Sequence, residues 1–283
     1  MTRIVSVKVE KRGYLLFVAL LISSDNKRFH KMCYNYTMPL NEPDIYPYCL
    51  TDFSSKDALI IAPHPDDESL GCGGSIIKHI KAKSRVKVVF LTNGDKGDFL
   101  GKFGKEYVDT RRRSALKAMG ALGVEDYEFW GYGDRELNPL FRELSERLQH
   151  TINNFNPEVI YAPSPYEAHP DHGTAFRLIW EVKDKFEISC VFYEVLMAVY
   201  PNVLVDITDE IKRKIDAIEC YHTEVYYNDY IEKITGLNRF RTATLPKDVK
   251  YAEAFVLIDK SSNISVSPAL SCFASAMKNN NRG

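Results

Sequence analysis

At 283 residues, the chain is long enough for one large α/β domain with an appendage, or for two domains. Its composition is that of an ordinary globular protein, 45% hydrophobic and 27% charged, so it is neither a disordered tail nor a collagen-like repeat. A formal net charge of −1 and short Lys/Arg runs, the densest being Arg111-Arg112-Arg113, argue against nucleic acid as the partner.

The first 50 residues are expected to form a β-rich extension. Ile4–Val9, Tyr14–Ile22 and about Phe29–Tyr36 carry strand-like apolar patterns separated by polar turns. Basic residues before the apolar run Tyr14–Ile22 imitate a secretory signal. The run is far short of the roughly 20 residues needed to span a bilayer, and no small-residue cleavage site follows. A β-hairpin turning near Arg12-Gly13 is the better reading. Met38–Asp44, with two prolines, reads as a linker into a main domain over residues 51–283.

From Ala58 onward strands and helices alternate. Ala58–Ala62, Val86–Leu91, Tyr127–Tyr132, Glu158–Ala162, Ser189–Val195, Val203–Val205 and Ala254–Ile258 are strand-like. Leu70–Lys81, Tyr107–Ala121, Asn138–Asn154, Thr174–Lys185 and Asp209–His222 have helical spacing; Leu140, Leu144, Leu148 and Ile152 recur every four residues. This order predicts an α/β, Rossmann-like, mostly parallel sheet with helices on both faces. The mixed aromatic and charged stretch from Tyr221 to Arg241 has no readable period and is expected to carry specificity. The six cysteines form no CxxC pair, which points to reduced thiols and a cytoplasmic setting.

Two short clusters stand out: His64-Pro65-Asp66-Asp67-Glu68 after the first main-domain strand, and His169-Pro170-Asp171-His172 after the fourth. In open α/β sheets ligands bind beyond the carboxyl ends of the strands, so the clusters should meet. Asn93-Gly94-Asp95 and Gly133-Asp134 close the strands between them. His64 and Asp67 stand three apart, as do His169 and His172. The first pair with one of those histidines makes a three-ligand site with an open position, the pattern of a catalytic zinc. Asp66 is then free to take a proton from a metal-activated water, and the unligated histidine to meet an oxyanion. The bland alternative is a pair of helix caps, and two such clusters at strand ends weigh against it. His30, His79, His150 and His222 lack acidic company and read as ordinary surface or core residues.

Ala62–Glu68 with Gly73-Gly74, together with Glu167–His172, resembles the two signatures of the PIG-L/LmbE-like zinc deacetylase family. Leu91–Asp95 and Tyr251–Phe255 are similar to weaker motifs of that family, and the resemblance spans about residues 56–260. It implies that His64, Asp67 and His172 bind Zn2+, with Fe2+ or Co2+ as alternatives, that Asp66 is the general base, and that His169 stabilises the charged intermediate. The implied reaction is removal of an N-acetyl group from a small amino-sugar conjugate, with Arg111 and Asp134 on the sugar hydroxyls. A hydro-lyase acting on an unsaturated carboxylic acid is the alternative chemistry, and a metal-binding scaffold the non-enzymatic one. The family's glutamate three residues after the arginine is here Ser114, so Arg112 and Arg113 remain alternatives to Arg111. No membrane span is expected, and a homo-oligomer is left open.

Overall fold

The computed structural model describes backbone strands at residues 3–11, 14–22 and 30–34, and the continuous stretch 46–259. The chain divides into two compact units, Met1–Tyr46 and Pro47–Gly283. In the first, β1 (Arg3–Lys11), β2 (Tyr14–Ile22) and β3 (His30–Tyr34) form an antiparallel sheet in that order. Lys11 pairs with Tyr14 and Arg3 with Ile22, the register of the expected hairpin. The turn residues 12–13, the ends of the stretch 29–36 and the linker 38–44 lie outside the described residues.

The second unit is built on β4 (Ala58–Ala62), β5 (Val86–Thr92), β6 (Asp126–Tyr132), β7 (Val159–Pro163), β8 (Ser189–Tyr193), β9 (Val203–Asp206) and β10 (Ala252–Ile258). Their order is β6-β5-β4-β7-β8-β10-β9. The first five run parallel, and β10 runs antiparallel to both β8 and β9. The sheet is therefore mostly parallel, as the alternation predicts. Every residue of β4, β7 and β8 is buried, because helices cover both faces. On one face Ala58, Ile60, Val88, Tyr161 and Tyr193 pack with α1 (Asp67–Lys81), α2 (Tyr107–Leu122), α5 (Ile211–Glu219) and α7 (Tyr230–Phe240). On the other, Leu59, Ile61, Val89, Ile160 and Phe192 pack with α3 (Phe141–Phe155) and α4 (Pro170–Phe186). In α3 the buried Leu144, Leu148, Ile152 and Phe155 form its core stripe. Burying each such side chain is worth roughly 1.5–3 kcal/mol, which orders a helix too short to persist alone.

Three differences from the sequence-based expectation matter for the site. The helix anticipated from Leu70 begins at Asp67, immediately after Asp66, and breaks at Cys72 (φ −142°, ψ 22°). The helix anticipated to run to His222 stops at Glu219, and α6 (His222–Tyr227) follows a break at Tyr221. Tyr221 is buried with its hydroxyl donating to Glu68 Oε1 at 2.7 Å, a tertiary contact that no local pattern announces. The unreadable stretch folds as α6 and α7. Among the described residues no helix is long and apolar enough to cross a membrane, and Cys49, Cys72 and Cys220 are free thiols.

Candidate metal-centred active site

The chain leaves β4 through Pro63-His64-Pro65 and turns at Asp66, whose φ of 138° is rare for a residue with a side chain. Such strain persists only where the surroundings over-determine it. Here the Asp66 N–H donates to Glu68 Oε2 (3.1 Å), and its carbonyl accepts from Ser69 N (3.1 Å) and Leu70 N (2.9 Å). Glu68 is itself tied to Ser69 Oγ (2.6 Å) and Tyr221. The turn aims Asp66 and Asp67 in different directions. Gly71 lets α1 lie against the sheet: a Cβ there would meet the Tyr193 ring at 2.2 Å.

From β7 the chain runs to His169, the N-cap of α4, with Pro170 in the first turn where its missing N–H costs nothing. His169 Nδ1 accepts from the Asp171 N–H (3.2 Å), which places the ring proton of the neutral form on Nε2. His172 follows one turn on and reaches the first cluster.

His64 Nδ1, Asp67 Oδ2 and His172 Nε2 form a triangle with edges of 3.2, 3.1 and 3.3 Å. Ligands about 2.0–2.1 Å from one tetrahedral ion stand roughly 3.3 Å apart, so the donor set fits a single divalent metal. All three residues are buried. Although burial opposes it, Asp67 is held well below the usual carboxylate range by His172 and His64. Against the same opposition, neighbouring carboxylates raise His64 and push His172 up to about 9. Surroundings that favour an imidazolium also favour a cation.

A wider set, His64, Asp134, His169 and Asp171, also offers donors within 4.8 Å of one another, as does the group His64, His169 and His172. Its contacts lie on the other side of the His64 ring. Nε2 stands 3.3 Å from Asp171 Oδ2 and 3.4 Å from Asp134 Oδ1. A histidine that ligates through Nδ1 carries its proton on Nε2, and a carboxylate there fixes ring and tautomer. Asp171 is anchored in turn by the N–H of Arg135 (2.6 Å). His169, with Nδ1 on a backbone amide and Nε2 3.4 Å from Asp134 Oδ1, stands beside the triangle.

Asp66 Oδ2 lies 3.0 Å from Arg111 Nη2. Burial drives the Asp66 carboxyl well above its ordinary range, with Arg111 opposing. Arg111 is buried and used on all three nitrogens: Nε donates to Pro65 O (3.1 Å), Nη1 to Gly94 O (2.9 Å) and Tyr107 Oη (3.2 Å). Gly94, at φ 61°, is required by this approach; a Cβ would sit 2.3 Å from Arg111 Nη1. Asp134 is buried, and its Oδ1 lies 3.4 Å from both His64 Nε2 and His169 Nε2. A cavity of about 350 Å³ joins these groups, walled by Phe99, Leu196, Tyr227 and Tyr230.

Each sequence-predicted site residue therefore lies on one cavity. Arg112 and Arg113, the alternatives to Arg111, are exposed on α2 and absent from its lining. Glu224, Tyr107 and Lys96, which line it, had no signal in the sequence; Glu224 looks there like any acid on a short helix.

A buried donor triangle with a carboxylate and a histidine beside it, at the carboxyl edge of a parallel sheet, is an arrangement able to hold a divalent metal and carry out hydrolysis. The comparisons agree. Residues 59–183 match the family described as GlcNAc-PI de-N-acetylase, PIG-L. A diacetylchitobiose deacetylase of Thermococcus kodakarensis is 30% identical over 191 residues, 60% of this chain and 70% of that one. A probable N-acetyl-alpha-D-glucosaminyl L-malate deacetylase of Bacillus anthracis is 26% identical over 215 residues, 71% of this chain and 93% of that one. The solved N,N'-diacetylchitobiose deacetylase of Pyrococcus horikoshii superposes with a TM-score of 0.64 at 26% identity, covering 75% of this chain and 87% of that one. The chain belongs to the PIG-L family and is an amide hydrolase of the N-deacetylase class.

Proposed function

We propose that residues 51–283 hydrolyse the N-acetyl group of a small N-acetylglucosamine-type conjugate, with Zn2+ held by His64 Nδ1, Asp67 Oδ2 and His172 Nε2. The observation that carries this reading is the donor triangle with an unligated carboxylate, Asp66, beside it. A bound ion supplies Lewis-acid polarisation and activates water near neutral pH; Fe2+ and Co2+ accept the same donors. Asp66 takes a proton from the attacking water and returns it to the departing amine, so the products are acetate and a free amino sugar. His169 donates from Nε2 to the carbonyl oxygen as that atom gains charge. Asp134, a buried carboxylate on the cavity wall, offers an acceptor to a sugar hydroxyl. Arg111 holds Asp66, with one Nη2 hydrogen left for substrate. A cytoplasmic setting, expected from the cysteine usage, belongs to the same reading.

Acetate release from a panel of acetylated amino sugars and sugar conjugates tests this. Asp66→Asn should lower kcat by roughly 10²–10⁴-fold while zinc content is retained. Unchanged turnover would remove Asp66 from the base's role. Loss of enoate absorbance without acetate release would favour the hydro-lyase instead.

A further inference from the structure

Arg111 stands between two buried carboxylates from distant parts of the chain. Nη2 meets Asp66 Oδ2 at 3.0 Å, and Nε lies 3.3 Å from Glu224 Oε1. Glu224 sits in α6, inside the stretch whose sequence carried no period. Its placement is closely determined: Oε1 accepts from Tyr107 Oη (2.7 Å) and Oε2 from Thr223 Oγ1 (2.7 Å), and the residue is only 5% exposed. Tyr107 Oη in turn accepts from Arg111 Nη1 at 3.2 Å, closing a ring of three side chains. The position where the family resemblance places a glutamate is Ser114, whose Oγ lies 3.5 Å from His222 Nδ1.

A buried guanidinium with a single carboxylate neighbour is drawn onto both of its oxygens, because the bidentate pair is the strong geometry. A second carboxylate on the far side, with the carbonyls of Pro65 and Gly94, holds the fork back. Asp66 then meets it through Oδ2 alone, and Oδ1 has no protein partner among the described residues. We propose that Glu224 is a positioning residue for the general base. From α6 it supplies the carboxylate that the family resemblance places at position 114, and through Arg111 it keeps Asp66 Oδ1 open to the proton. This rests on Asp66 being the base.

The test uses the full zinc-loaded chain with Glu224→Ala, Glu224→Gln and the double variant Ser114→Glu/Glu224→Ala. Glu224→Ala should lower kcat for acetate release roughly 10–100-fold, the scale of supporting-residue losses, with KM and zinc content nearly unchanged. Its crystal structure should show Arg111 displaced from its one-point contact with Asp66. The double variant should recover most of the lost kcat, because a carboxylate three residues after Arg111 stands on the same helix face and returns the charge. Glu224→Gln, which keeps the shape and loses the charge, should fall between, and it carries the test if the alanine variant does not fold. Wild-type kcat in either single variant, an unmoved Arg111, or a folded, zinc-replete double variant no better than Glu224→Ala would each overturn the proposal. Failure of the deacetylase reading looks different: the wild-type chain releases no acetate, and the displacement of Arg111 is still read from the crystal.

Discussion

The two edges of the seven-stranded sheet handle charge in opposite ways. At the carboxyl edge His64, Asp66, Asp67, Arg111, Asp134, Asp171 and His172 are buried and bound to one another around a cavity of about 350 Å³. At the amino edge a cavity of about 860 Å³ is lined by Arg85, Lys87, Asp126, Glu128, Arg147 and His150. Its charges form short-range pairs near solvent: Arg85 with Asp57 at 2.8 Å, and Lys87 with Asp126 and Glu128 at 2.7 and 2.9 Å. The larger cavity has the plainer chemistry. Exposed pairs are screened and nearly independent, whereas buried groups shift one another's protonation and can be matched to a reaction. Coupling under burial, and not volume, marks the working edge.

The contrast breaks most easily at the donor triangle. Changing outer supports of a metal site already costs roughly 10–100-fold in affinity, so His172→Ala, which removes a donor, should cost more. A metal titration with unchanged affinity and stoichiometry would show that the ion sits elsewhere. Next in size, His169→Ala should lower kcat by roughly 10²–10³-fold, the usual loss for one oxyanion donor, while metal content stays at the wild-type level. An equal loss of metal would move His169 into the ligand set.

A smaller effect belongs to His79, in the core behind the site. Its Nδ1 donates to Ser54 O (3.0 Å) and its Nε2 accepts from Tyr161 Oη (2.9 Å). Burial lowers its affinity for a proton below the ordinary value of 6.5, against nearby acceptors that raise it. The unfolded chain therefore binds the extra proton first. The contribution of neutral His79 is fully present above pH 6.5 and is lost as pH falls through the folded-state value. Melting temperatures at several pH values from 7.5 down to 5 should fall less steeply in His79→Gln than in the wild type. At pH 7.5 the variant should be less stable by about 1 kcal/mol for a weakened hydrogen bond. Parallel curves would assign the acid sensitivity to other groups. The smallest effect is expected at the amino edge, where Arg85→Ala should cost less than about 1 kcal/mol in a urea melt and leave acetate release untouched. A large loss of activity there would erase the distinction between the edges.

How much of this was legible in the sequence depends on how local each cause is. Strand and helix periods along residues 58–258 express which face each element buries, so the alternating α/β order could be read directly. The helix starting at Asp67 was hidden because its first turn carries acids and the glycine-rich run Gly71–Gly74, with no apolar stripe to announce it. α6 and α7 were hidden because their order comes from contacts made elsewhere, with Tyr221 on Glu68 and Glu224 on Tyr107 and Arg111. The histidine clusters were conspicuous because ligand chemistry needs particular residue types at short spacing. Asp134 and Arg111 were placed only by resemblance.

By itself the sequence determined the class of sheet, the edge at which polar groups collect, and the two clusters able to hold a metal, since each follows from spacing along a few residues. Only the tertiary structure decided that His64 faces the triangle with Nδ1 and its carboxylate supports with Nε2. It also decided that Arg111 is enclosed behind Asp66, and that a glutamate more than a hundred residues away stands where Ser114 cannot reach. Those are orientations and long-range pairings, and they are set by what packs against each side chain from other elements.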